Sequence, residues 1–87
     1  MTRKKLLELG RQKCSVLLGQ YPSSTALLSV LRQIEYLTGI DDGSITDRSR
    51  LKDITIGVMT AREIEALDDD AAETFYQIAS EAKQMAS

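Results

Sequence analysis

Apolar residues that return every three or four positions, in four stretches parted by three short breaks, commit this chain to packed helices. From Thr2 to Gln20, Leu6, Leu7, Cys14, Leu17 and Leu18 share one helical face, and Tyr21 continues it. Leu9 and Val16, seven apart, point off that stripe and are either a second packing ridge or an exposed contact, of which the ridge is favoured. "GQYPSS" then breaks the pattern: Pro22 disfavours helix at Tyr21, and Ser23 or Ser24 can cap the next helix. From Ser24 to Thr38 the buried side is Leu27, Leu28, Val30, Leu31, Ile34 and Leu37, and Gly39 is placed to stop the helix. Ser29, Arg32, Gln33 and Tyr36 fall on the polar side, which puts the tyrosine outside the main core.

The second break, "IDDGSIT", is a turn by composition, after which Thr46 or Asp47 can cap a third helix running to about Ala66. Within it "DITIGVMT" also alternates as a strand would, with Ile54, Ile56 and Val58 on one side. A lone strand cannot satisfy its backbone groups, no partner strand is present, and the helix-forming "AREIEAL" follows, so helix is favoured. Its stripe is then Leu51, Ile54, Val58 and Ala61, with Met59 at the flank. The fourth segment opens at "LDDD", where Asp70 and Glu73 have the spacing of a capping box and Asp68 and Asp69 lie near the positive end of the helix. Phe75, Ile78, Ala79, Ala82 and Met85 then repeat at helical spacing. The expected fold is all-α: a compact bundle of four helices, mostly antiparallel, in one domain over residues 1–87, with helices at about 2–20, 24–38, 47–66 and 71–85.

A chain of 87 residues buries only about 60–65% of its unfolded surface, so nearly every apolar side chain is needed for the core. There is no Trp and only one Phe, which leaves the packing to aliphatic residues and little for a deep substrate cavity. Histidine is absent and Cys14 is the single cysteine, which removes imidazole acid–base catalysis, Ser-His and Cys-His nucleophile pairs and His/Cys zinc sites. Cys14 itself lies in the apolar stripe and reads as a small buried hydrophobe. "DDDAAE" has contiguous aspartates, no Gly and an immediate helix, unlike the alternating ligands of a calcium loop. No phosphate-cradling glycine motif occurs. No catalytic, cofactor-binding or metal-binding residues are therefore expected, and the chain is not expected to be an enzyme. The N-terminus has neither a signal-peptide core nor a long apolar span, and the expected location is the cytoplasm.

The net charge of −2 conceals a gradient: residues 1–20 carry five basic and one acidic side chain, residues 53–87 two basic and eight acidic. An acidic second half would oppose phosphates, so nucleic acid is disfavoured as a partner, and Glu8 interrupts the basic first helix that a membrane surface would need. A protein-binding module is the class that remains best supported. Solvated helix faces account for the gradient equally well.

The ordered set Tyr21-Pro22, Leu27-Leu28-Ser29, Gln33 with Tyr36, Asp47-Arg48-Ser49 with Leu51, and Gly57 resembles the small helical immunity proteins that protect bacteria from type VI secretion effectors with NAD(P)-glycohydrolase activity. The likeness covers roughly Leu17 to Glu65. It implies a cytoplasmic inhibitor without catalysis of its own, which binds the toxin domain of a cognate effector and blocks its active site. A pocket built for a dinucleotide presents positive groups, toward which an acidic surface would be steered. Candidate contacts are Tyr36, Arg32, Gln33 and Ser29 on the polar face of the second helix, with Asp47 and Arg48, and Asp68 and Asp69 as an acidic rim. Asp47 and Arg48 could equally cap the third helix or pair with each other, and Tyr21 is expected in the core. The alternative reading is a self-associating helical structural or adaptor protein, a weak homo-oligomer joined along Leu9 and Val16.

Overall fold

The computed structural model describes every residue from Met1 to Ser87. The first helix, α1, spans Arg3–Gln20 and is opened by Thr2, whose hydroxyl accepts from the Lys5 amide at 3.2 Å. The second, α2, spans Thr25–Asp42 behind Ser24, whose hydroxyl accepts from the Leu27 amide at 3.1 Å. These caps occupy donors that a helix end otherwise leaves unsatisfied.

The expected stop at Gly39 does not occur. The helix runs one turn further and ends at Gly43, whose φ of 85° is the left-handed conformation that glycine adopts without steric cost. Gly39 serves close approach instead. The chain folds back so that the Ile45 amide donates to the Gly39 carbonyl at 3.0 Å, and the Ile45 side chain lies where a Gly39 side chain would be.

The expected third helix over 47–66 is largely replaced. Residues 47–50 are loop, Leu51–Asp53 make one 3-10 turn, and α3 covers only Ile56–Met59 before passing into a π-helical turn over Thr60–Ile64. Two side chains explain the delay. The Asp47 carboxylate accepts from the Ser49 amide at 2.9 Å, a local bond that competes with helix. Gln33 of α2 takes the Thr55 amide at 2.7 Å, which fixes the chain just before α3 begins. The buried stripe is Ile56, Thr60 and Ile64, not Leu51, Ile54, Val58 and Ala61. Val58 is 58% exposed and Ala61 is exposed, although Leu51 is buried as expected. Wholly buried Thr60 opens the π turn, closed by the Glu65 amide on the Thr60 carbonyl at 2.8 Å, and its hydroxyl has no partner.

The last helix, α4, spans Asp69–Ala86 and is capped by Asp68, whose carboxylate accepts from the Ala71 amide at 3.0 Å. The capping box expected at Asp70 and Glu73 does not form: the cap lies two residues earlier, and Ala71 has no polar side chain to return a bond to it. Asp70 lies in the first turn and pairs with Lys13 of α1.

Contacts fix the topology. Cys14 meets Leu27, and Gly10 lies near Ile34, so α1 and α2 are antiparallel; Arg3 meets Glu81 and Lys13 meets Asp70, so α1 and α4 are antiparallel too. The core gathers Leu7, Cys14 and Leu17 of α1, Leu27, Val30, Ile34 and Leu37 of α2, Ile56 and Ile64, and Phe75, Ile78 and Ala82 of α4. This is the all-α, four-helix, mostly antiparallel bundle that the periodicity indicates. Cys14 is buried as expected. Its thiol donates to the Leu27 carbonyl at 3.2 Å, and burial, with the negative charge of Glu35, pushes its pKa up to about 11. Two expectations fail: Tyr21 is 41% exposed and Val16 is 63% exposed, so neither is part of the core. Tyr21 lies just past the end of α1, and Val16 borders a surface groove beside the start of α4. No helix is long and apolar enough to cross a membrane.

A methyl group at Gly39 would stand 2.6 Å from Ile45 Cγ1 and 3.3 Å from its Cβ, atoms held close to the main chain. Alanine gains up to about 1 kcal/mol of helix propensity over glycine, whereas forced overpacking costs about 1–3 kcal/mol. Because the Ile45 amide bond pins the loop in place, Gly39→Ala is expected to destabilise the fold by about 1 kcal/mol in denaturant titration. A gain in stability would show that Ile45 does not pack against α2.

Candidate partner-binding surface

Ser29, Arg32, Gln33 and Tyr36 recur at helical spacing along one edge of α2, and the structure brings all four into the lining of a single groove of about 370 Å³. The facing wall comes from the 3-10 segment: Arg50, Asp53 and Ile54, with Thr25 and Leu28 closing one end. Sequence reasoning missed Arg50, Asp53 and Ile54 because it placed them inside a third helix. The segment "DRSRL" carries no signal for this in sequence, because only the fold shows Arg48 held by the Met85 carbonyl and Arg50 left in the groove.

Gln33 fastens the two walls together. Its amide nitrogen donates to the Ser29 hydroxyl at 3.1 Å and the Thr55 hydroxyl at 3.0 Å, while its carbonyl oxygen accepts from the Thr55 amide. Tyr36 is not on an open polar face. It is only 9% exposed, and its hydroxyl donates to the Asp47 carbonyl at 2.8 Å, so the ring is part of the core's edge and its oxygen anchors the loop. Helical geometry placed it opposite the main stripe, but the loop from Gly43 to Arg50 folds over that side and covers it. The Arg50 guanidinium lies 5.3 Å from the centre of the same ring, within the range of cation–π attraction.

Asp47 and Arg48 are not drawn into the groove, nor do they pair with each other. Asp47 holds its own turn, and the Ser49 amide at its carboxylate keeps its pKa below the usual carboxylate range. Arg48 donates to the Met85 carbonyl at 2.8 Å, meeting an orphan acceptor in the last turn of α4, where a positive charge also suits the helix dipole. The acidic rim is smaller than the sequence suggests. Asp68 is the cap of α4, Asp70 pairs with Lys13, and only Asp69 of the three is left with no hydrogen bond or ion pair. Asp68 lines a separate surface beside Leu9, Lys13 and Val16. The charge gradient along the sequence is thus partly spent inside the molecule, where basic α1 meets acidic α4 through Arg3–Glu81 at 2.8 Å and Lys13–Asp70.

A second, more apolar groove of about 760 Å³ runs between α3 and α4, lined by Leu51, Val58, Ala61 and Ala79 among others, and Ile54 borders both grooves. No group of three or more metal-ligating side chains is assembled anywhere in the structure.

A rigid helical scaffold that presents side-chain-lined grooves is the architecture of a small protein-binding module. Comparison with known proteins places it further. The family model described as Tsi6 matches residues 3–84, and the chain belongs to the Tsi6 family. The resemblance to small helical immunity proteins of type VI secretion is thereby upheld. Among solved structures, Tsi6 from Pseudomonas aeruginosa superposes with a TM-score of 0.87 at 22% identity, over 94% of this chain and 95% of that one. A chain in the structure of Tse6 in complex with Tsi6 matches with a TM-score of 0.91 at 21% identity, over 98% of this chain and 90% of that one. No curated protein sequence matches.

Two substitutions separate anchoring from exposure. Tyr36→Phe removes the bond to the Asp47 carbonyl and is expected to cost about 1 kcal/mol, whereas Tyr36→Ala opens a hole at the core's edge and costs about 3 kcal/mol. Thermal unfolding checks both, and an unchanged melting temperature for the alanine variant would return Tyr36 to the open surface. Asp68→Ala is expected to cost about 1 kcal/mol through loss of the cap. Asp70→Asn, which breaks only a surface pair, should cost less than about 0.5 kcal/mol, and the reverse order would restore Asp70 as the cap.

Proposed function

We propose that this chain is an immunity protein that binds the toxin domain of a cognate secreted effector and blocks its active site, protecting the cell that makes both. Membership of the Tsi6 family carries the reading, together with the same fold in the structure of Tse6 in complex with Tsi6. The resemblance drawn from the sequence supports an NAD(P)-glycohydrolase as the toxin and the cytoplasm as the place of action. Inhibition of this kind is stoichiometric and asks no catalysis of the inhibitor, in keeping with a chain that has no histidine and whose lone cysteine is buried.

The groove along α2 is the proposed contact, with Ser29, Arg32, Gln33 and Tyr36 at its centre. Interfaces of high affinity draw most of their energy from a few aromatic and arginine side chains in well-packed pockets, and two exposed arginines line this groove, one of them, Arg50, over the buried Tyr36 ring. Asp69 adds a free negative charge at the start of α4. Asp47, Arg48 and Asp68 support the surface through the bonds described above, so their substitution acts mainly through folding.

Mixing the purified chain with the toxin domain encoded beside it and separating the mixture by size-exclusion chromatography tests the reading. The expected result is a single peak holding both chains, loss of NAD(P) cleavage by the toxin in that peak, and survival of cells that express both genes. Absence of a complex and of protection would refute it. The same column tests the second reading, for which the exposure of Val16 speaks: a free chain that elutes as a dimer would favour self-association along Leu9 and Val16.

A further inference from the structure

The sign of the charge in the α2 groove is opposite to what the acidic second half of the sequence suggests. Three basic side chains are engaged by acids: Arg3 with Glu81, Arg11 with Glu8, Lys13 with Asp70. Arg48 is held by the Met85 carbonyl. Arg32 and Arg50 line the same groove, and neither has an ion pair or hydrogen bond within the protein. The one acid in the lining, Asp53, forms no ion pair with either of them. The lining of this space of about 370 Å³ therefore holds two guanidinium groups and one carboxylate, with Arg32 on one wall and Arg50 and Asp53 on the other.

The walls are suited to a peptide segment. Leu28, 38% exposed, and half-buried Ile54 offer apolar surface on either side, and the Tyr36 ring lies beneath Arg50. A guanidinium above an aromatic ring is oriented while its N–H donors stay available, and its planar fork matches a carboxylate in two parallel hydrogen bonds. The polar groups of Gln33 already bind Ser29 and Thr55, so the floor makes no competing demand on an incoming acid.

We propose that this groove receives an acidic segment of the toxin, with an Asp or Glu side chain seated between Arg32 and Arg50 and an apolar neighbour against Leu28 and Ile54. The proposal rests on the toxin-binding reading and assigns to it a specific chemistry: the inhibitor supplies the cations at this contact and the toxin supplies the anion. The acidic patch at Asp69 then serves a different part of the footprint.

Affinity of the full chain for the toxin domain, measured by calorimetry for the wild type, Arg32→Glu, Arg50→Glu and Arg62→Glu, decides it. Arg62 is exposed, lines neither groove and gives the same change in net charge. The expected result is a loss of roughly thirtyfold or more for each groove variant and less than about fivefold for Arg62→Glu. A toxin variant with Lys in place of the seated acid should recover binding to Arg50→Glu. Circular dichroism melting guards against misfolding, and Arg32→Glu, which breaks no contact within the protein, keeps the test decisive if Arg50→Glu proves unstable. Wild-type binding with both groove variants near wild-type affinity would overturn the groove while leaving the toxin reading intact. Equal losses for Arg62→Glu would reduce the effect to general charge steering and overturn it too. Failure of the wild type to bind would refute the toxin reading itself, and the groove proposal with it.

Discussion

The close approach of three helices at Gly10 is the constraint on which the rest of the bundle depends. Ile78 of α4 occupies the space where a Gly10 side chain would be, and Ile34 of α2 stands 3.4 Å from that same point. Because α1 has no side chain there, the 18-residue helices α2 and α4 can both press against it. Their antiparallel packing on α1 brings Cys14, Leu27, Val30 and Phe75 into one core. Dispersion contacts fall away within an ångström of optimal separation, so a bundle with few aromatic residues depends on such tight approaches. Charge complements the packing, since the basic face of α1 meets acids of α4 at both ends of their contact. Surface pairs of this kind contribute little energy each but oppose a reversed arrangement.

The candidate site grows out of the weakest part of the fold. Between Gly43 and Thr55 there is only one short turn of regular structure, yet the backbone there is fastened at several points by side chains. Tyr36 holds the Asp47 carbonyl, Gln33 holds the Thr55 amide, and Arg48 reaches across to α4. Those bonds fix Arg50, Asp53 and Ile54 opposite α2 and so create the groove. A surface preorganised in this way loses less conformational entropy on binding than a mobile loop would. The residues that build the groove therefore have two roles. Gln33 and Tyr36 are framework as much as contact, whereas Arg32 and Arg50 are left over by the framework and free to meet a partner.

Much of this was legible in the sequence, and the failures share a cause. The stripes of α1, α2 and α4 follow from a period that any amphipathic helix must show, and the cap at Ser24, one of two serines open to that role, follows from a hydroxyl that precedes it. Asp68 rather than Asp70 begins α4 because both positions satisfy the local rule, and pairing of Asp70 with Lys13, remote in sequence, accompanies the choice. Gly39 was expected to stop α2 because glycine disfavours helix interiors. It is tolerated there because Ile45 fills the space beside it. The third segment departed furthest, since its start is set by Gln33, a residue more than twenty positions away.

What the sequence determined by itself was the class of fold, four helical segments with aliphatic faces, together with the family to which the chain belongs. Those properties depend on residue type and on spacing within a few turns, which a linear chain displays directly. Tertiary structure alone decided which charges cancel and which remain. The acidic run looked like the docking surface until α1 and the helix cap drew on it, and the arginines of α2 and the following loop became a pair only when the chain folded back at Gly43. Electrostatic surfaces are sums over neighbours in space, and the helical period says nothing about which distant residues those neighbours are.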